Sequence, residues 1–272
     1  MLEVTAIPIL EDNYAWHLHC KATGSAAVVD PGEALPVIQF IDHRLGGRLD
    51  AILLTHHHGD HTGGSLALKA RYGSAIIGNR ADCGRLPPLD QGLNAGGLFA
   101  VGGEAFDLLD CTGHTRGHLA YFGRQSRSLF CGDALFSLGC GRLFEGTATE
   151  AWETLLRLRA LPPETMVYCG HEYTAANGEF AGFLDSTNSD LAARRGEVSR
   201  LRAAACPTLP ISLAVESRTN PFLRADDEQF ARGLVLPLAR LGIALSPSET
   251  TEPVAVFSAL RRARDRFKGV PR

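Results

Sequence analysis

An apolar run ending in Leu53 and Leu54 passes directly into Thr-His-His-His-Gly-Asp-His-Thr-Gly-Gly, residues 55–64. Four of the chain's ten histidines fall within the six residues 56–61. Imidazole and carboxylate suit zinc, iron or manganese, and a turn at the end of a strand lets His56 and His58 project to one side with Asp60 and His61 one turn further on. The spacing predicts two pairs of metal ligands, close enough in sequence that little chain entropy is lost in assembling them. A solvated histidine-rich loop is the competing reading. The position of the stretch, between a buried strand and a helix start at Gly63-Gly64, argues against it. Two catalytic sites need more than four ligands. His114 in Cys-Thr-Gly-His-Thr, Asp133 in Phe-Cys-Gly-Asp-Ala and His171 in Tyr-Cys-Gly-His-Glu each follow an apolar segment and stand beside a glycine, where a backbone turns out of a sheet. Singly, each reads as an ordinary core histidine or turn aspartate. Together they complete a set of five histidines and two aspartates, enough for two ions held by three residues each and one bridging carboxylate.

Such ligands need strands to carry them. Residues 25–30, 51–54, 75–78, 128–131 and 165–169 are short apolar runs that end at Gly, Asp or His, as buried strands do. Helical spacing is found over 34–45, 62–72 and 149–160, the last with Thr149 as N-cap and Glu150 and Glu153 in its first turn. This mixture predicts a layered α/β structure, with the Gly-rich stretches 92–103 and 139–146 as long loops. Beyond residue 172 the pattern becomes helical, over 187–205, 225–243 and 253–268, with Pro253 near the start of the last. The expected division is a catalytic α/β domain over 1–172 and a helical domain over 173–272.

Composition excludes several classes of function. The 272 residues carry 27 basic and 30 acidic side chains, a formal net charge of −3, which gives no chain-wide attraction to nucleic acid or anionic lipid. No apolar run approaches the ~18–20 residues needed to span a bilayer. The N-terminus holds Glu3, Glu11 and Asp12 and no basic leader region. Seven cysteines without a C-x-x-C pair read as free buried thiols of a reducing compartment, so a cytoplasmic chain is expected. Cys111, Cys131 and Cys169, just before His114, Asp133 and His171, are expected to pack beneath the ligands.

The motif Thr-His-His-His-x-Asp-His-x-Gly-Gly, followed by a separate His, Asp and His, resembles the metallo-β-lactamase superfamily. Further phrases resemble its glyoxalase II (hydroxyacylglutathione hydrolase) family: Gly-Cys-Gly-Arg-Leu-Phe-Glu-Gly-Thr (139–147), Cys-Gly-His-Glu-Tyr-Thr (169–174), Thr-Asn-Pro-Phe-Leu-Arg (219–224) and Arg-Arg-Ala-Arg-Asp-Arg-Phe-Lys (261–268). The resemblance implies an αββα sandwich followed by a small all-α C-terminal domain. It implies one ion on His56, His58 and His114, another on Asp60, His61 and His171, and Asp133 bridging them. His57 and His118 are left as neighbours that hydrogen-bond around the ligands, and His17, His19 and His43 as structural residues. Two divalent ions, zinc or else iron or manganese, sharing a water would lower its pKa from 15.7 toward ~7 and present hydroxide to a thioester carbonyl. Asp60 would orient that nucleophile. The implied reaction converts S-D-lactoylglutathione, or another S-(2-hydroxyacyl)glutathione, to glutathione and D-lactate or the matching acid, the second step of methylglyoxal detoxification. Arg142, Phe144, Tyr173, Asn177, Arg261 and Arg264 fall at substrate-contacting positions. Phe144 stands where some relatives have tyrosine and so donates no hydrogen bond, and Arg142 and Arg264 stand where lysine can occur.

Other readings share parts of this pattern. A persulfide dioxygenase-like enzyme would use one iron and oxygen; lactonases and β-lactamases share the nucleophile and differ in pocket. A nucleic-acid-binding tail is suggested by six basic residues over 261–272, but one short basic helix on a slightly acidic chain is a weak footprint. Purely structural zinc favours four protein ligands, often cysteines, whereas three per ion leave room for water. The expectation is a monomeric thioester hydrolase acting on a small glutathione conjugate, with neither nucleic acid nor membrane as partner.

Overall fold

The computed structural model describes residues 2–44 and 47–269. The end of the 34–45 helical segment, at Leu45, and Arg272 of the basic tail lie outside the described residues.

Two six-stranded sheets form the centre. The first holds, in order, β1 (Leu2–Ile9), β2 (Asn13–Cys20), β3 (Ser25–Val29), β4 (Ala51–Leu53), β5 (Ala75–Asn79) and β6 (Gln91–Leu93). The β1–β2–β3 pairs are antiparallel and β3 to β6 are parallel. Helices α1 (Ala34–Arg44), α2 (Gly59–Thr62) and α3 (Ser65–Tyr72) lie in the connections between these strands. Alternation along the strands divides the burial. Ala15, Val28 and Ile52 face a core shared with Val37, Ile41 and Leu68 of α1 and α3, whereas Trp16, Leu18, Val29 and Leu53 face the second sheet.

That second sheet has β7 (Leu98–Val101), β8 (Glu104–Asp110), β9 (Leu119–Gly123), β10 (Ser128–Gly132) and β13 (Met166–Cys169), with β14 (Ile211–Ser212) at its edge. Between β10 and β13 come a short hairpin, β11 (Leu135–Phe136) with β12 (Gly139–Cys140), and helix α4 (Ala148–Arg159). The remaining helices are α5 (Thr174–Leu184), α6 (Ser189–Ala203), α7 (Leu213–Thr219), α8 (Glu228–Gly233), α9 (Val235–Arg240) and α10 (Pro253–Arg266). The fold is thus the expected α/β sandwich with a helical C-terminal region, to which β14 adds one short strand. Among the described residues no helix is long and apolar enough to cross a membrane.

Several local expectations change. The stretch 92–103, expected as a loop, contains the end of β6 and all of β7, and 139–146 begins with β12; pairing with neighbouring strands overrides their glycine content. The α4 cap is Thr147 rather than Thr149. Its hydroxyl accepts from the Glu150 N–H while Glu150 accepts from the Thr147 N–H, a reciprocal box that Thr149, one residue before Glu150, cannot form. The 225–243 segment is two helices, because Pro237 has no N–H to donate to the Gly233 carbonyl and continue the first. Cys83 and Cys206 are exposed rather than buried, lying outside the strands that bury Cys111, Cys131 and Cys169.

His17 on β2 is 2% exposed, its ring 5.1 Å from that of Phe40, and its Nε2 has no hydrogen-bond partner. Burial, helped by His19, pushes its pKa from 6.5 to about 4. The unfolded chain therefore binds a proton that the folded chain excludes. The resulting stability is present above pH 6.5 and is lost as pH falls toward about 4. The loss amounts to at most about 3 kcal/mol. His17→Leu is expected to flatten the dependence of stability on pH over that window, read by urea unfolding at neutral and acid pH; an unchanged slope would refute the assignment.

Candidate metal centre

Strand ends of both sheets bring the seven predicted ligands together. After β4 the chain delivers His56 and His58, and the single turn of α2 delivers Asp60 and His61. His114 comes from the β8–β9 loop, Asp133 follows β10 and His171 follows β13. Two glycines make this convergence possible. Gly132 has φ +47°, and a Cβ there would lie 2.3 Å from Thr55 Oγ1; a Cβ on Gly170 would lie 2.5 Å from Asp133 Oδ1.

The ligands fall into two groups whose donor atoms lie mutually within 4.8 Å: His56, His58 and His114, and Asp60, His61 and His171. In the first, His58 Nδ1 is 3.1 Å from both His56 Nε2 and His114 Nε2. Asp133 sits between the groups, with Oδ1 3.3 Å from His61 Nε2 and Oδ2 3.4 Å from His171 Nε2 and 3.6 Å from His114 Nε2.

Surrounding hydrogen bonds fix which ring nitrogens carry protons. Thr55 donates its hydroxyl to Asp30 Oδ2 at 2.6 Å and so must accept from His56 Nδ1, 3.0 Å away. His61 Nδ1 donates to Asp30 Oδ2 at 3.0 Å, His114 Nδ1 to the Arg142 carbonyl at 2.8 Å and His171 Nδ1 to Asp12 Oδ1 at 2.8 Å. With one proton per ring, each would point an Nε2 lone pair into the cluster. Lone pairs converging at such distances repel unless a cation lies among them. His61 Nε2 and Asp133 Oδ1 are also buried without a hydrogen-bond partner. This donor set fits divalent metal.

The electrostatics divide the rings into three kept neutral and two that the carboxylates hold as cations, the charge a metal ion would replace. Burial pushes the His56, His58 and His114 pKa values down, keeping those rings neutral, the form that can bind a metal ion. Burial opposes charge on His61 as well, but Asp133 and Asp30 outweigh it and push His61 up. His171 is likewise pushed up to about 10, by Asp133 and Asp60 against burial. A hydrogen bond from His171 holds Asp60 well below the usual carboxylate range. His57 turns away, its Nδ1 3.3 Å from Asp82, while His118 stacks on His56 and accepts the Asp133 N–H at 3.2 Å.

Sequence reasoning did not find Asp12, Asn13, Asp30 or Thr55. Asn13 donates to Asp60 Oδ2 at 3.1 Å, and Asp30, with φ +51°, accepts from the Thr55 N–H at 2.8 Å. The only local signal was the Asp-Pro-Gly that ends the β3 run.

Five of the seven, His58, Asp60, His114, Asp133 and His171, floor a cleft of about 510 Å³, a size common for small-molecule sites. All six predicted substrate residues line it. Phe144 is 62% exposed, its ring 5.3 Å from His114. Tyr173 stacks on His171 at 4.5 Å, and burial pushes its phenol pKa up, so the hydroxyl stays a donor. Arg261 is buried rather than part of a solvated basic face, and Nη1 donates to the Cys140 carbonyl at 2.7 Å. Asn177 has both ends engaged: Nδ2 donates to the Ser137 carbonyl at 3.1 Å and Oδ1 accepts from Arg264 Nε at 3.2 Å. It therefore holds Arg264 in place.

Comparison with known proteins agrees with this geometry. Residues 20–171 match the family model of the metallo-beta-lactamase superfamily, and residues 172–267 match that of the hydroxyacylglutathione hydrolase C-terminus. The chain is 46% identical to a hydroxyacylglutathione hydrolase of Methylococcus capsulatus, covering 99% of this chain and 100% of that one. It is 45% identical to one of Rhodospirillum rubrum, covering 98% and 99% respectively. Among solved structures, ETHE1 from Myxococcus xanthus shares the fold with a TM-score of 0.61 at 22% identity, covering 95% of this chain and 98% of that one. TTHA1623, solved in a di-iron-bound form, shares it with a TM-score of 0.59 at 24% identity, covering 81% and 100%. With both parts matched and relatives aligned from end to end, the chain belongs to the hydroxyacylglutathione hydrolase family of the metallo-β-lactamase superfamily.

Proposed function

We propose that the chain hydrolyses S-(2-hydroxyacyl)glutathione thioesters, S-D-lactoylglutathione first among them, to glutathione and a 2-hydroxy acid. The observation that carries this reading is one cleft with His58, Asp60, His114, Asp133 and His171 of the seven-residue cluster at its floor and Arg142, Arg261 and Arg264 in its walls. Full-length relatives named for this activity support it. The reaction belongs in this reading to the cytoplasm and to a monomer, with a metal-bearing part over 1–172 and a substrate-binding part over 173–272.

His56, His58 and His114 would hold one divalent ion and Asp60, His61 and His171 a second, with Asp133 between them; zinc is the first choice, and iron or manganese also suit the ligands. Bound there, such ions supply Lewis acidity, lowering the pKa of a water and favouring negative charge on an acyl oxygen. The chain's own groups do the rest. Asp60, ionised and with its side chain 42% exposed, accepts a hydrogen bond from the attacking water and orients it. Tyr173 offers a phenol donor, and the arginines attract the carboxylates of glutathione. The departing thiolate needs little help from a general acid.

The test is thiol release from S-D-lactoylglutathione by purified chain loaded with zinc, iron or manganese. Release that stops on chelation and returns with metal is expected; no release in any metal form overturns the reading.

A further inference from the structure

We propose that Asp265 is an internal counter-ion that limits how tightly the cleft holds a carboxylate-bearing ligand, by competing with it for Arg142 from the outer groove. The proposal rests on the glutathione-thioester reading above.

Segment 142–144 separates two cavities: the catalytic cleft of about 510 Å³ and an outer groove of about 620 Å³ against α10. Arg142, Phe144 and Arg261 line both, whereas Asp265 lines the outer groove alone. A single oxygen, Asp265 Oδ1, lies 3.3 Å from Arg142 Nε and accepts from Arg261 Nη2 at 3.0 Å. The two arginines differ in what else holds them. Arg261 also donates to the Cys140 carbonyl and lies 5.2 Å from the Phe222 ring, so its place does not depend on Asp265. Arg142 has a side chain 65% exposed, and among the described residues Asp265 is its one ion-pair partner.

A substrate carboxylate offers Arg142 the same chemistry from the other side of the wall. Binding then exchanges one carboxylate partner for another, and Arg142, which lines both cavities, gives up Asp265 for the ligand. Hydrolysis leaves glutathione with both carboxylates intact, so three uncompensated arginines would hold the product as firmly as the substrate. Asp265 opposes this by repelling those carboxylates and by recapturing Arg142 as the product leaves.

The experiment is calorimetric titration with glutathione and with its diethyl ester, which has no free carboxylate. Asp265→Asn is expected to bind glutathione about three- to fivefold more tightly at low salt, the scale of a half-exposed ion pair. The gain should vanish near about 0.5 M salt, where such charges are screened. Asp265→Glu, which keeps the charge, should bind glutathione as the natural chain does, and the diethyl ester should gain nothing from Asp265→Asn. Unchanged or weaker glutathione binding by Asp265→Asn, or an equal gain for the ester, overturns the proposal. Such a result from a chain that still releases thiol from the thioester leaves the function standing. A natural chain that neither releases thiol nor binds glutathione overturns both.

Discussion

Asp133→Asn is expected to lose bound divalent metal and to lower thioester hydrolysis by at least about a hundredfold, the scale on which removal of one charge-stabilising group acts. The change is nearly isosteric, so the fold should persist. What changes is the charge between the two ligand groups. The Asp133 carboxylate lies 3.3–3.6 Å from the Nε2 atoms of His61, His114 and His171. Burial opposes its ionisation, but His61 and His171 together hold it well below the usual carboxylate range, so it is an anion in this site. An amide offers half the acceptor capacity and points an N–H at a ring nitrogen whose lone pair is needed for metal. Metal analysis and thiol release on the same sample provide the check. A protein with its full metal content and full activity would refute the bridging role.

Glu216→Ala is expected to destabilise the chain by about 3–5 kcal/mol, because it strands several buried donors at once. Glu216 on α7 is 0% exposed. It accepts from the Ser137 hydroxyl at 2.7 Å, the Leu138 N–H at 2.8 Å and Asn220 Nδ2 at 3.0 Å. Asn220 Nδ2 also donates to the Phe136 and Gly139 carbonyls at 3.1 and 3.0 Å. These contacts clamp the β11–β12 turn, in which Leu138 takes the left-handed conformation at φ +58°. The same hairpin begins just after Asp133 and ends just before Arg142. A loss of stability should therefore come with a raised KM for the thioester, measured by urea unfolding and steady-state kinetics. Glu216→Gln, which keeps one acceptor, should fall between the two. Stability and KM both unchanged in Glu216→Ala would show that the helical region does not position this hairpin.

The clustering of the seven side chains was legible in the residues because four of them are local. His56, His58, Asp60 and His61 follow from a strand end and one helical turn, geometry that spacing alone encodes. The other three, His114, Asp133 and His171, could be proposed because each stands beside a glycine shortly after an apolar run. The five strand segments read from apolar runs appear within a residue or two of their positions, since each is buried by the sheet it joins. Strands β6 and β7 were hidden because their glycines say loop while their partners, β5 and β8, supply the hydrogen bonds.

Only the tertiary structure decided how the ligands are protonated and held. The proton-fixing bond from His171 to Asp12 spans 159 residues, and that from Ser137 to Glu216 spans 79. It also decided that Arg261 is buried, that Asn177 is engaged with Arg264, and that Asp265 stands between two arginines. The physical reason is the same in each case. Residue type and spacing fix what a side chain can bind and which way a short segment turns. The partner it meets is set by strand order and helix docking, which bring together residues that no local pattern connects.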